Sequence, residues 1–179
     1  MKKIILLGPK HSGKTSAGKA LANLCSCGFF DSDELILQKT GKTPRQLYSE
    51  SVDIFQKAEV DATAEFINMN KDCSKLCVFA AGGGFIDNDD AVSILTKEEV
   101  IFVCLNISAN KAWSRISGTP DLHSGNAELP PFLRTENPQE THRVLHERRN
   151  AACLKIADVI IEINEKTPEE IASEIYEKI

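Results

Sequence analysis

The chain has 179 residues, 21 Lys plus Arg against 26 Asp plus Glu, and a formal net charge of -5. That length suits one domain with a core of its own. A hydrophobic fraction of 42% and a charged fraction of 26% exclude a disordered or fibrous chain, and the acidic balance argues against a general nucleic-acid binder.

At the N-terminus, Met1-Lys2-Lys3 precedes an apolar run at residues 4–7 that Gly8-Pro9-Lys10-His11 interrupts. The run is too short for a signal peptide. No stretch approaches the ~20 apolar residues of a membrane span. A cytoplasmic monomer, without membrane or nucleic-acid partner, is expected. The six cysteines (Cys25, Cys27, Cys73, Cys77, Cys104, Cys153) show C-x-C and C-x3-C spacings. They read as reduced, mostly buried small side chains rather than a zinc site.

Apolar runs and helical patterns alternate along the chain. Residues 4–7 read as a buried strand, and 14–24 as a helix with Ala17, Ala20, Leu21 and Leu24 on one face. Residues 29–31 form a short strand, and 33–39 a helical turn or two that Gly41 ends. A helix starts at Pro44 and runs through Tyr48, since Pro is tolerated in a first turn. Residues 52–68 carry Phe55, Ala58, Ala62, Phe66 and Ile67 at helical spacing. Then come a strand at 76–80, a helix at 88–95, a strand at 100–105 and a helix at 108–116 capped by Ser108. Residues 117–138 hold several Pro and Gly and lack a period, as a functional lid would. A charged helix at 139–154, a strand at 159–163 and a closing helix from Pro168 complete the chain. Five strands separated by helices predict a single α/β domain over residues 1–179, with a parallel sheet and a lid at about 117–138.

Gly8-Pro9-Lys10-His11-Ser12-Gly13-Lys14-Thr15 matches G-x4-G-K-[ST], between a predicted strand and a predicted helix. The glycines let successive N–H groups turn inward, where they and the helix N-terminus bind phosphate oxygens. Lys14 places a cation at the β- and γ-phosphates, and the Thr15 hydroxyl suits Mg2+. Gly8, Ser12, Gly13, Lys14, Thr15 and Ser16 are the expected ATP contacts. A guanine-reading N-K-x-D element is lacking, because Asn70-Lys71-Asp72-Cys73 precedes the wrong strand. Large ATPases need a longer chain. The motif shows nucleotide binding, and of these three P-loop classes a small-molecule kinase is the one expected.

Asp31-Ser32-Asp33 follows the second strand at the end of the sheet where ligands bind. One carboxylate there can help hold Mg2+ and the other can take a proton from a substrate hydroxyl. The alternative is that Asp33 caps the next helix while Asp31 is a solvated loop acid. Gly82-Gly83-Gly84 ends the third strand and lets a small ligand approach backbone N–H groups.

The order Gly8–Thr15, Phe30-Asp31-Ser32-Asp33, Phe55-x3-Glu59, Gly82-Gly83-Gly84, a Pro-containing lid, then Arg149 before Ala157-Asp158 resembles shikimate kinase. That resemblance covers essentially the whole chain. It implies the three-layer α/β/α P-loop kinase fold of the nucleoside-monophosphate-kinase type. It implies ATP-dependent phosphorylation of the 3-hydroxyl of shikimate, with Mg2+, in aromatic amino-acid biosynthesis. By the same resemblance, Lys14 and Asp33 are catalytic, and Asp31 organises Mg2+ with Thr15. Asp33, Gly82, Gly83, Gly84 and Arg149 bind the substrate, Arg149 through its carboxylate. Arg115, Lys166 and Pro168 lie where the family faces adenine.

Three positions depart from the family pattern. Gln56 stands where the family has an Arg that clamps the substrate carboxylate, and a neutral amide cannot replace a charged bidentate fork. Lys57 is adjacent but projects about 100° away on a helix. Pro130-Pro131-Phe132-Leu133 stands where the family lid reads Arg-Pro-Leu-Leu, which leaves Arg134 as the substitute substrate contact. His11 stands where the family often has Gly. Other readings are a kinase of another small hydroxylated acid or sugar acid, and a nucleotide-binding protein without phosphotransfer. His142 and His146 read as a solvated helix face, Arg143 and Arg148 as surface ion-pair partners, and Trp113 as packing.

Overall fold

A computed structural model describes residues 3–71, 76–117, 129–163 and 165–179. Half of the expected lid, residues 118–128, and Cys73 lie outside the described residues.

The first strand, β1 (Lys3–Leu7), is buried along its whole length. Its side chains alternate: Ile5 and Leu7 enter one core, Ile4 and Leu6 the other. A strand apolar on both faces needs helices on both sides, which is the parallel-sheet arrangement. The sheet has five strands in the order β2-β3-β1-β4-β5, every pairing parallel. The other strands are β2 (Gly28–Asp31), β3 (Cys77–Ala80), β4 (Val100–Asn106) and β5 (Val159–Glu162). Ile5 sits between Phe79 of β3 and Phe102 of β4, so β1 is central.

Eight α-helices are present among the described residues. They are α1 (Lys14–Leu24), α2 (Ser32–Thr40), α3 (Pro44–Glu50), α4 (Val52–Met69), α5 (Asp89–Thr96), α6 (Ala109–Ser117), α7 (Pro138–Ile156) and α8 (Pro168–Lys178). Leu35, Leu47, Phe66, Leu95 and Cys153 bring α2, α3, α4, α5 and α7 onto one core. Leu21, Ala112 and Ile175 bring α1, α6 and α8 onto the other. This is the expected three-layer α/β/α architecture. No helix of the described residues is long and apolar enough to cross a membrane.

The helix starts follow local chemistry. Thr43 and Gln46 form a capping box ahead of α3, with Pro44 in its first turn, and Thr167, Glu170 and Pro168 repeat the device at α8. Asn88 caps α5, so its side chain is fixed at the rim of the site described below. The caps set the entry point of each helix; the side chains they steer toward the sheet set its packing.

Two sequence readings are corrected. His142 and His146 are not on a solvated face, being 6% and 4% exposed. The α7 helix lies against α6, with Trp113 and His142 ring centroids 5.5 Å apart. His146 Nε2 donates to the Ile107 carbonyl at 2.8 Å, which satisfies one of its two ring nitrogens. The second concerns the acid pair: Asp31, not Asp33, caps α2, accepting from the Asp33 N–H at 2.9 Å. Asp31 is buried at 8% exposure and is no loop acid.

Candidate active site

From β1 the chain runs to the edge strand β2, returns to β3 beside β1, then crosses to β4 and β5 on the other side. A crevice opens at the C-terminal ends of the strands where that direction reverses, and such crevices bind ligands. The Gly8–Thr15 loop leaves β1 at this point.

Gly8 has φ +142°, and a Cβ there would stand 2.8 Å from the Leu105 carbonyl oxygen. Any side chain would push the loop off β4. Gly13 opens α1 in the left-handed conformation. His11 also has positive φ, 63°, without glycine's freedom. This backbone requirement accounts for the glycine that the family favours at that position. Lys14 is buried, and its Nζ donates to the carbonyls of Gly8 at 2.8 Å and Pro9 at 2.9 Å and reaches Ser12 Oγ at 3.4 Å. Burial lowers its pKa to about 8, opposed by Cys153, Asp33 and Asp31. The lysine stays predominantly charged at neutral pH. His11 falls to about 4 through burial and the cations Lys10 and Lys14. It is neutral in a loop built for anions.

Thr15 Oγ1 donates to Asp31 Oδ2 at 2.8 Å. A hydroxyl and a carboxylate side by side at the mouth of a phosphate loop are the hard oxygen donors that Mg2+ takes. The residues therefore fit the ion that the family implies.

Next to the loop is a cavity of about 160 Å³. Its charged lining is Lys10, Arg45 and Arg149 against Asp33 and Glu59. Tyr48, Phe55 and Phe132 form an aromatic wall, with Tyr48 centred 5.7 Å from Phe55 and 6.3 Å from Phe132. Gly82, Gly83 and Gly84 make the floor. A Cβ on Gly83 would meet the Lys10 backbone N at 2.8 Å, so the floor touches the phosphate loop directly. Arg149 reaches over the floor: its Nη2 would stand 3.2 Å from a Cβ on Gly84. Asp87 accepts from Arg149 Nε at 2.8 Å and from Arg148, and the Arg149 guanidinium lies 5.7 Å from the Phe132 centroid. Asp33 is raised above the usual carboxylate range by burial and by Asp31, and Lys14 and Lys10 pull it back.

Glu59 is 2% exposed, with Oε2 accepting from Asn88 Nδ2 at 3.1 Å. Among the described residues its Oε1 has no hydrogen-bond partner, and it would stand 3.2 Å from a Cβ on Gly82, so it faces the floor. Burial pushes its pKa up to about 7, opposed by Asn88.

Other expected site residues fall elsewhere. Gln56 does not line the cavity; its backbone carbonyl accepts from Asn88 Nδ2 at 2.9 Å. Arg134 does not line it either, and its Nε donates to the Leu129 carbonyl at 3.2 Å. Arg115 Nη1 donates to the His11 carbonyl at 2.9 Å, tying α6 to the phosphate loop. Lys166 pairs with Glu174, and Pro168 opens α8. Arg143 pairs with Glu140 and Glu147 on the surface.

A family model described as shikimate kinase matches residues 10–179. The chain belongs to the shikimate kinase family. A shikimate kinase of Thermodesulfovibrio yellowstonii is 34% identical over 183 aligned positions, covering 100% of this chain and 97% of its own. The structure of an Acinetobacter baumannii shikimate kinase in complex with shikimate superposes with a TM-score of 0.82 at 29% identity, covering 99% of this chain and 92% of that one. Deoxyadenosine kinase of M. mycoides, at 15% identity and a TM-score of 0.63, shares the fold. This shikimate kinase homologue is thus a small-molecule kinase. The sequence reading missed Lys10, Arg45 and Asp87 as site residues. It used Glu59 only as a family landmark, although Phe55-x3-Glu59 was the signal that could have found it.

Proposed function

We propose that the chain transfers the γ-phosphoryl group of ATP to the 3-hydroxyl of shikimate through the residues just described. One observation carries the assignment of roles. Asp33 lines the acceptor cavity and also lies close enough to Lys14 to support its charge. A hydroxyl seated on the glycine floor would therefore face both a carboxylate and the phosphate loop.

The Gly8–Thr15 amides cradle the phosphates. Lys14 exchanges its carbonyl partners for the β- and γ-phosphate oxygens, which offer the ammonium full negative charge. Asp33 accepts the proton of the attacking hydroxyl as the new O–P bond forms and ADP leaves. Thr15 and Asp31 would hold Mg2+, which supplies charge neutralisation between the phosphates. Arg149, fixed by Asp87 and Phe132, takes the substrate carboxylate. Ser12 and Ser16 belong to the cradle, and Arg115, Lys166 and Pro168 to the adenine side.

The test is ADP release coupled to a spectroscopic readout. Millimolar shikimate is expected to stimulate turnover and yield a product heavier by one phosphoryl group. No stimulation would sink the substrate assignment. Gln56 and the lid sequence Pro130-Pro131-Phe132-Leu133 favour a second acceptor of the same class. A panel of small hydroxylated acids run beside shikimate would expose it.

A further inference from the structure

The cavity holds more positive charge than the family landmarks predict. The family's clamping position on α4 is Gln56, and Gln56 is outside the lining. The cavity nevertheless has a second guanidinium besides Arg149, contributed by Arg45 from the first turn of α3.

Arg45 and Tyr48 stand three residues apart on α3, which puts them on one face of that helix, and both line the cavity. Tyr48 meets Phe132 edge-on, and the Arg149 guanidinium lies over the Phe132 ring, 5.7 Å from its centroid. The two guanidinium groups thus line one cavity together with that aromatic wall. A cyclic acid held in the cavity would meet both cations.

Asp33 and the phosphate loop surround Lys10, which Arg45 also opposes as a like charge. Arg149 shares Asp87 with Arg148. An anion entering the cavity would relieve the repulsion among its cations, and Arg45 is exposed at the rim where such an anion arrives.

We propose that Arg45 is the specificity-determining second cation for the substrate carboxylate, acting opposite Arg149 in place of a basic side chain at position 56. This rests on the proposed reading of shikimate as the acceptor. A guanidinium binds a carboxylate through two parallel N–H bonds, which a lysine point charge does not reproduce.

The experiment compares wild type, R45A, R45K and R45A/Q56R on shikimate and on its uncharged methyl ester, by steady-state kinetics and by calorimetric binding. R45A should raise KM and Kd for shikimate about tenfold. Its kcat and its KM for ATP should stay at wild-type values, the latter also showing that the variant is folded. The methyl ester should bind wild type and R45A equally. R45K should recover part of the loss, and Q56R in the R45A background should recover more. Equal losses on acid and ester, or no loss on shikimate, would overturn the role of Arg45 while leaving the reaction intact. A wild type that neither binds nor phosphorylates shikimate would overturn the substrate reading and this inference together.

Discussion

The phosphate loop and the acceptor cavity share a border but are assembled in opposite ways. The loop comprises eight consecutive residues, and its hydrogen bonds from Lys14 span only two to six positions. The cavity draws charged groups from residues 10, 33, 45, 59 and 149, on five separate segments. A locally encoded site survives drift elsewhere in the chain, because its geometry depends on its own backbone. A site collected from distant segments can exchange one contributor for another, as Gln56 and Arg45 illustrate.

Four changes would break or sharpen this contrast. Asp33 serves both regions, so the largest effect is expected there. Asp33→Asn should reduce kcat by about 10²- to 10⁴-fold while nucleotide affinity stays near wild type, measured by turnover and by ADP titration. A matching loss of ADP affinity would show that the two regions are one unit.

Gly83→Ala comes next. Its Cβ would stand 2.8 Å from the Lys10 backbone N, and a backbone cannot swing aside as a side-chain tip can. A cost of about 1–3 kcal/mol is expected. At about 2–4 °C per kcal/mol for a domain of this size, thermal melting reads it directly. The KM values for ATP and shikimate should rise together, since the contact joins floor to loop.

Glu59 tests the cavity alone. Its folded pKa is raised from 4.5 to about 7, so the fold favours its protonated form. The unfolded chain releases that proton first as pH rises. Stability from this group is therefore full below 4.5 and is lost as pH climbs toward about 7. Glu59→Gln removes that slope. Between about pH 5 and about pH 8 the melting temperature of the variant should gain on wild type, by the equivalent of roughly 1–3 kcal/mol. A constant offset across that range would show that Glu59 is not titrating.

His11→Gly should do least. Relief of left-handed backbone strain and the greater freedom of glycine in the unfolded chain oppose one another, each about 1 kcal/mol. Melting within about 4 °C of wild type is expected. A larger loss would mean that the imidazole holds the loop, which would weaken the view of the cradle as a backbone device.

The same contrast explains what could be read before the fold was known. The strands were readable because residues buried on both faces make unbroken apolar runs, as at β1. Helix starts were readable where a capping residue and Pro coincide, as at Thr43-Pro44 and Thr167-Pro168. Asp31 and Asp33 were marked as a pair, but which one caps α2 depends on backbone angles that a two-residue spacing does not specify. His142 and His146 looked solvated because their neighbours on α7 are charged. Burial came from α6 and from the Ile107 carbonyl, both distant in sequence.

Contiguous spacing therefore determined the phosphate loop and the α/β order, because both follow from local backbone geometry and side-chain period, whereas the kinase class came through the resemblance. Placement of Arg45, Glu59 and Arg149 around one cavity came from the β2-β3-β1-β4-β5 crossovers and the packing of α3, α4 and α7. The charge of -5 describes the whole chain. It does not describe the cavity, where Lys10, Arg45 and Arg149 meet two acids, one of them held near neutral charge by burial. Net charge sums over surface that no ligand sees, whereas recognition depends on the few groups that folding brings within reach of each other.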